Sequence, residues 1–243
     1  MPWDFWLILI FLAVALPLLG KRRIRHLLEY PLTTRKVRLR LYISTIVSQW
    51  LAATIILWRA TARGMSLLQL GIALPRPTLT FLVSAVLTAL IAANQLLSIR
   101  EFARRPSQEE GILPQLAARV FPQDSLERVF FIPLVLTVAF CEELIYRGFV
   151  QALFRFATGS ALIAIAGSAV LFATAHLYQG RKGIAATFVV GLIFSVARAW
   201  TGSLVPAMIS HGVADAAAGL LMPRKLAQQT EGDLKSEDRH YIL

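Results

Sequence analysis

The stretch VFFIPLVLTVAFCEELIYRGFV at residues 129–150 is apolar over most of its length. About 20 such residues, coiled as a helix, cross the hydrocarbon core of a bilayer, which is about 30 Å thick. Further apolar runs lie on either side of it, at residues 3–20, 41–58, 77–98, 161–178, 183–200 and 203–221. The sequence therefore predicts an all-α fold, a polytopic membrane bundle of about seven transmembrane helices.

The composition also favours a membrane protein. Hydrophobic residues make up 56% of the 243 positions and charged residues 16%, and the mean hydropathy is +0.61. Intrinsic disorder is excluded, and the single cysteine, Cys141, excludes an internal disulfide. The net charge is +11, but the basic residues gather in the loops between the apolar runs. We therefore expect a lipid bilayer around the protein and no nucleic-acid partner.

The distribution of lysine and arginine predicts the orientation in the membrane. With the N-terminus outside, 19 of the 25 basic residues fall in the inside loops. Cytoplasmic loops characteristically carry this excess. The sequence therefore predicts an integral multi-pass protein with its N-terminus outside and its C-terminus in the cytoplasm, in the plasma or inner membrane if the source is a bacterium.

The chain divides into three parts by composition. Residues 1–123 hold the first membrane helices and a polar, proline-containing connection with a short surface helix around Leu113–Val120. Residues 124–222 form a helical core that holds nearly all the ionisable residues found inside apolar runs. Residues 223–243 are polar and cannot bury enough apolar surface to fold alone, which predicts a flexible tail.

Ionisable side chains inside the apolar runs are the candidates for chemistry, because each costs at least ~2.5–3.5 kcal/mol at a helix centre. Glu143 and Arg147 are four residues apart, so they share a helix face and favour an ion pair. Glu142 points about 100° away from Glu143 around the helix, so the charge of its carboxylate is less compensated by Arg147. A desolvated carboxylate of this kind is a usable general base. A purely structural ion pair explains Glu143 and Arg147 but not Glu142.

Two further helices bring polar groups into the membrane. Phe172 and His176 are four residues apart, which places the ring beside the imidazole. His211 and Asp215 have the same spacing, so the carboxylate can hold one ring nitrogen. Packing and interhelical hydrogen bonds are the alternative interpretation of each pair alone. Together the polar groups of the three helices are expected to converge on one cavity.

These motifs, in this order on separate helices, resemble the CPBP family of CAAX prenyl endopeptidases and bacteriocin-processing enzymes, also called Abi proteins. The stretch TGSLVP at residues 201–206 is similar to that family as well. The resemblance covers about residues 125–221, and it implies a glutamate-dependent intramembrane endopeptidase that needs no metal and no other cofactor.

The resemblance also implies roles for individual residues. Glu142 and His176 would activate water, with Glu143 and Arg147 in support and Phe172 beside them. His211 and Asp215 would stabilise the oxyanion. Because an ionised aspartate is only an acceptor, we expect Asp215 to orient His211, which then donates alone.

The predicted spans place two of these residues at different depths. Glu142 would lie about 20 Å from the inner face, whereas His176 would lie near that face. The motif set requires them to meet, so we expect a tilted helix, a fourth helix that starts deeper, or an error in the predicted span boundaries.

Other functions remain open at this level. Two histidines and a carboxylate also suit a zinc-dependent membrane peptidase. Intramembrane Glu, His and Arg also occur in transporters, and a silent family member would act as an immunity or scaffold protein. The expected substrate is a membrane-associated peptide or protein, with or without a lipid group, and its identity is not contained in the sequence.

Overall fold

The computed structural model describes residues 1–29, 33–104 and 112–221, and over these ranges the protein is helical without strands. This confirms the all-α class. The predicted tail at residues 223–243 lies outside the described residues. The helices are α1 (Trp3–Glu29), α2 (Arg35–Ala62), α3 (Pro77–Arg104), α4 (Ile112–Val120), α5 (Ser125–Thr158), α6 (Ala161–Ala175), α7 (Gly180–Thr201) and α8 (Val205–Leu221).

Five of the described helices, α1, α2, α3, α5 and α7, are long and apolar enough to cross a membrane. The other two apolar helices, α6 and α8, have 15 and 17 residues and are shorter than a full span. The protein is therefore a multi-pass helical membrane protein. The number of seven transmembrane helices stays a prediction. The short helix α4 begins one residue before the predicted start of the surface helix, Leu113, and ends at the predicted residue, Val120.

Helix α5 is much longer than the apolar run that predicts it. It has 34 residues and begins after Asp124, whose side chain accepts a hydrogen bond from the Glu127 amide. Beyond Glu143 the helix widens into a π-helical segment, Leu144–Val150, before it ends at Gly159 with a φ of 68°. This left-handed conformation favours glycine. Ser160 then caps α6 through its side-chain oxygen.

The turn at Gly159 makes α5 and α6 an antiparallel hairpin with matched arms. Tyr146 and Phe172 each lie 13 residues from Gly159, and their ring centroids are 5.2 Å apart. Glu142 and His176 each lie 17 residues from it, one helical turn further. The boundaries predicted for this span are therefore wrong, and the two residues do not lie at different depths. The predicted run ended at residue 150, whereas α5 continues for eight more residues. These residues form an amphipathic segment, which a search for apolar runs leaves out.

Helices α2 and α5 pack side by side in the same direction. Arg38 near the start of α2 contacts Glu127 near the start of α5, and Gln49 further along contacts Glu142. Helix α8 lies against both α3 and α5, where Ser210 is 3.0 Å from Thr88 and Gly212 approaches Ala139. This arrangement brings α2, α5, α6 and α8 together around the glutamate pair.

Candidate active site

Glu143 and Arg147 form the ion pair that their spacing predicts. Arg147 Nη1 donates to Glu143 Oε1 at 2.9 Å, and both side chains are completely buried. The guanidinium carbon also lies 3.9 Å from the centroid of the Phe172 ring and 5.6 Å from that of Phe194. A buried cation is thus held by one carboxylate and two aromatic rings.

His211 approaches the same carboxylate from α8. Its Nδ1 lies 2.9 Å from Glu143 Oε1, in hydrogen-bond contact, whereas its Nε2 lies 3.5 Å from Asp215 Oδ2. Glu143 thus holds Nδ1, because the packing of α8 on α5 presents that nitrogen to it. Asp215 lies on the other side of the ring, within ion-pair distance of Nε2, and its role in orienting His211 stays a prediction.

Glu142 takes no part in the ion pair. Its Oε1 accepts a hydrogen bond from Gln49 Nε2 at 2.9 Å. Its Oε2 is buried and has no hydrogen-bond partner in the described structure, and it lies 4.0 Å from His176 Nε2. The one-residue offset thus gives the Oε1 atoms of the two glutamates different partners, a neutral amide for Glu142 and a cation for Glu143. The Oε2 atom of each is buried without a hydrogen-bond partner in the described structure, and that of Glu142 is the one near His176.

His176 follows the last residue of α6, and its orientation is fixed from within its own helix. Nδ1 donates to the Phe172 carbonyl oxygen at 2.8 Å, and the two rings are 4.7 Å apart. Because a carbonyl only accepts, Nδ1 carries the proton. In the neutral ring the lone pair is therefore on Nε2, the nitrogen that faces Glu142.

All the side chains that the motifs single out are joined by these contacts in one cluster. They are Glu142, Glu143, Arg147, Phe172, His176, His211 and Asp215. Their catalytic roles stay predictions. Among the residues that the structure describes, no three His, Cys, Asp or Glu side chains are grouped as ligands of a metal ion.

Two polar residues of this cluster escape the sequence reasoning. Gln49 on α2 and Tyr146 on α5 are uncharged, so a search for ionisable groups that cost energy in lipid passes over them. The Tyr146 hydroxyl is buried, one turn beyond Glu142, and has no hydrogen-bond partner among the described residues. A polar residue inside an apolar run is the signal that would find Gln49.

An apolar groove of about 670 Å³ lies beside the cluster, along the contact of α5 with α8. Gly212 and Val213 on its wall directly follow His211, and Phe140 precedes the glutamates by two residues. Thr137 and Trp50 add the few polar atoms. The groove can hold an apolar chain, and its lining residues adjoin the glutamates and His211 in sequence without including them.

Comparison with known proteins gives one family. Residues 124–217 match the model of the Rce1-like type II CAAX prenyl endopeptidases. No curated protein and no solved structure matches the chain. The match confirms the resemblance drawn from the motifs, and the matched family is one of hydrolases that are membrane proteases.

Proposed function

We propose that the Rce1-like region, residues 124–217, is the core of a glutamate-dependent intramembrane endopeptidase, in which Glu142 is the general base. The observation that carries this proposal is the free Oε2 of Glu142, 4.0 Å from the free Nε2 of His176. Both atoms are hydrogen-bond acceptors when Glu142 is ionised and His176 is neutral.

Two acceptors at this separation suit one water molecule. A water that donates a hydrogen bond of about 2.8 Å to each acceptor holds them about 4–4.5 Å apart. Its lone pairs then face away from both groups and can attack a carbonyl carbon. Glu142 takes the proton as the C–O bond forms, and it returns this proton to the leaving amine when the C–N bond breaks.

The second half of the cluster supports the negative charge that develops on the carbonyl oxygen. With Nδ1 of His211 bonded to Glu143, Nε2 can donate to an oxyanion when the ring is protonated. The carboxylates of Glu143 and Asp215 balance the charge of that ring. Arg147 in turn neutralises Glu143, so the pair acts as a support for His211 rather than as the base.

The substrate we propose is a membrane-associated or lipidated peptide or protein. The groove between α5 and α8 is almost entirely apolar and lies next to the cluster. Burial of apolar surface contributes roughly 25 cal/mol per Å², so a lipid group or an apolar segment gains binding energy there. The scissile peptide bond is then held beside Glu142.

The test is cleavage of a peptide library, including lipidated peptides, by the purified full-length protein. Glu142→Gln keeps the shape of the side chain but cannot accept the proton, so turnover should fall by about 10²–10⁴-fold. Its thermal stability in detergent should hold or rise. Cleavage should also survive exhaustive chelation.

Two outcomes would contradict the proposal. Turnover that is lost on chelation and restored by zinc would favour the zinc peptidase. Full turnover by Glu142→Gln, together with a folded but inactive Glu143→Gln, would reverse the roles of the two glutamates.

A further inference from the structure

Among the hydrogen-bond and ion-pair partners of Glu142 in the described part of the chain, Gln49 alone lies outside residues 124–217, the region that the family model matches. It belongs to α2, and its Nε2 donates to Glu142 Oε1 at 2.9 Å across the α2–α5 contact. In the described part of the chain no other group donates a hydrogen bond to the Glu142 side chain. The N-terminal helices therefore supply a contact to the reacting carboxylate.

We propose that Gln49 is a positioning residue for Glu142, an inference that rests on the proposed function. A carboxylate has two equivalent oxygens, and only one of them can meet the water beside His176. The amide donor occupies Oε1 and so directs Oε2 towards His176 Nε2. A hydrogen bond donated to a carboxylate also favours its ionised form, which is the form that a general base requires.

Two further hydrogen-bonded contacts fix α2 against α5. Near the start of both helices, Arg38 makes a two-pronged ion pair with Glu127, with both N–O distances at 2.9 Å. Next to Gln49, the indole of Trp50 donates to Thr137 Oγ1 at 3.1 Å. The Gln49 amide is therefore held in place before any substrate binds, so little entropy is lost when it orients Glu142.

The other titratable or charged groups around Glu142 do not share this task. They are Cys141, Glu143, Tyr146 and Arg147 on its own helix, His176 and Tyr178 after α6, and His211 and Asp215 on α8. Arg147 and His211 are bonded to Glu143. The effect of Gln49 on the base should therefore be separable from theirs.

The experiment compares three variants of the full-length protein with the wild type. Gln49→Met keeps the length of the side chain and deletes the donor. Gln49→Glu keeps the shape but places a second carboxylate beside Glu142. Tyr42→Phe, the matched control, loses a hydrogen bond from the same helix, to the Val120 carbonyl oxygen, without touching the glutamate or the groove. The readouts are kcat/KM against pH, melting in detergent, and the infrared band of the protonated Glu142 carboxyl, assigned by its loss in Glu142→Gln.

For Gln49→Met we expect kcat/KM to fall about 10- to 100-fold, the usual scale for a lost hydrogen bond to a charged group. The acid limb of the profile and the midpoint of the infrared band should both move to higher pH, because the ionised carboxylate loses its hydrogen-bond donor. Gln49→Glu should move them further, because like charges oppose ionisation. Tyr42→Phe should leave both midpoints unchanged.

The proposal would be overturned if Gln49→Met left both midpoints unchanged and lost only as much activity as its lower stability explains. Gln49 would then be a packing residue. The infrared titration needs no turnover. If the midpoint moves but no variant or wild type cleaves peptides, the proposed function fails while the positioning of Glu142 stands.

Discussion

At the scale of single residues, the site depends on how a buried cation is compensated. Arg147 is fully buried, with one nitrogen bonded to Glu143 and its flat face on Phe172. Its Nε and Nη2 make no hydrogen bond in the described structure. Glu143 also binds His211, so the charge of this carboxylate serves two partners at once.

Glu143→Gln should leave Arg147 as an unpaired buried cation. The expected loss in free energy of unfolding is about 3–5 kcal/mol if the site stays dry. Thermal melting in detergent measures it, with Glu142→Gln as the matched control that keeps the pair. Adding Arg147→Gln should recover part of the stability, because it removes the uncompensated charge. A double variant less stable than Glu143→Gln would contradict this account.

Phe172→Leu should destabilise the protein by about 2 kcal/mol, the scale of a desolvated cation–π contact. Phe194→Leu is the matched control, because its ring lies 5.6 Å from the same guanidinium instead of 3.9 Å. The Phe172 variant should lose more stability in melting experiments, and also turnover, since its ring packs on His176. Equal losses in both variants would show that only apolar volume matters at these positions.

The sequence predicts the local part of the site well and the non-local part poorly. The Glu143–Arg147 pair follows from helical spacing alone, because four residues bring two side chains onto one face. The contact from Gln49 to Glu142 joins positions 93 residues apart. It depends on the packing and direction of two helices, which no periodicity in either helix contains. The same holds for the approach of His211 to Glu143.

At the scale of helices, the start of α5 is fixed by a charged N-cap, the carboxylate of Asp124. Asp124 Oδ1 accepts from the Glu127 amide at 2.9 Å, and Oδ2 accepts from Arg35 on α2 at 2.7 Å. Glu127 in turn accepts from the Gln123 amide. The cap therefore begins the helix that carries both glutamates and ties it to α2.

This cap predicts a pH dependence of stability. The Glu127 amide, opposed by partial burial and aided by Arg35, holds the pKa of Asp124 below its ordinary value of 3.8. A lowered pKa in the folded state stabilises the protein above the ordinary value, and the effect is lost as the pH falls through the lowered one. Asp124→Asn should therefore melt below the wild type at pH 7, with a difference that shrinks towards about pH 3.

The matched control is Ser160→Ala, which removes the uncharged cap of α6. Its melting deficit should stay constant over the same pH range. A deficit of Asp124→Asn that is equally independent of pH would show that the charge of Asp124 contributes nothing.

At the scale of the whole molecule, the predicted orientation in the membrane can be measured with cysteines, because the native Cys141 is buried among Ala53, Leu144 and Leu204. Arg22 near the end of α1 and Ser66 after α2 are both exposed. With the N-terminus outside, an impermeant maleimide should label Ser66→Cys in intact cells and Arg22→Cys only after the membrane is opened. Wild type is the blank, and the opposite pattern would reverse the orientation.

The equal arm lengths of the α5–α6 hairpin limit which sequence changes evolution can accept. Replacing residues on the outer faces of either arm leaves Glu142 and His176 at equal distances from Gly159. Gaining or losing a single residue inside one arm shifts everything beyond it by about 1.5 Å and rotates it by about 100°, which separates the two. Homologues of this protein should therefore vary widely in the amino-acid sequence of the hairpin while keeping the length of both arms. Insertions should accumulate at the turn instead.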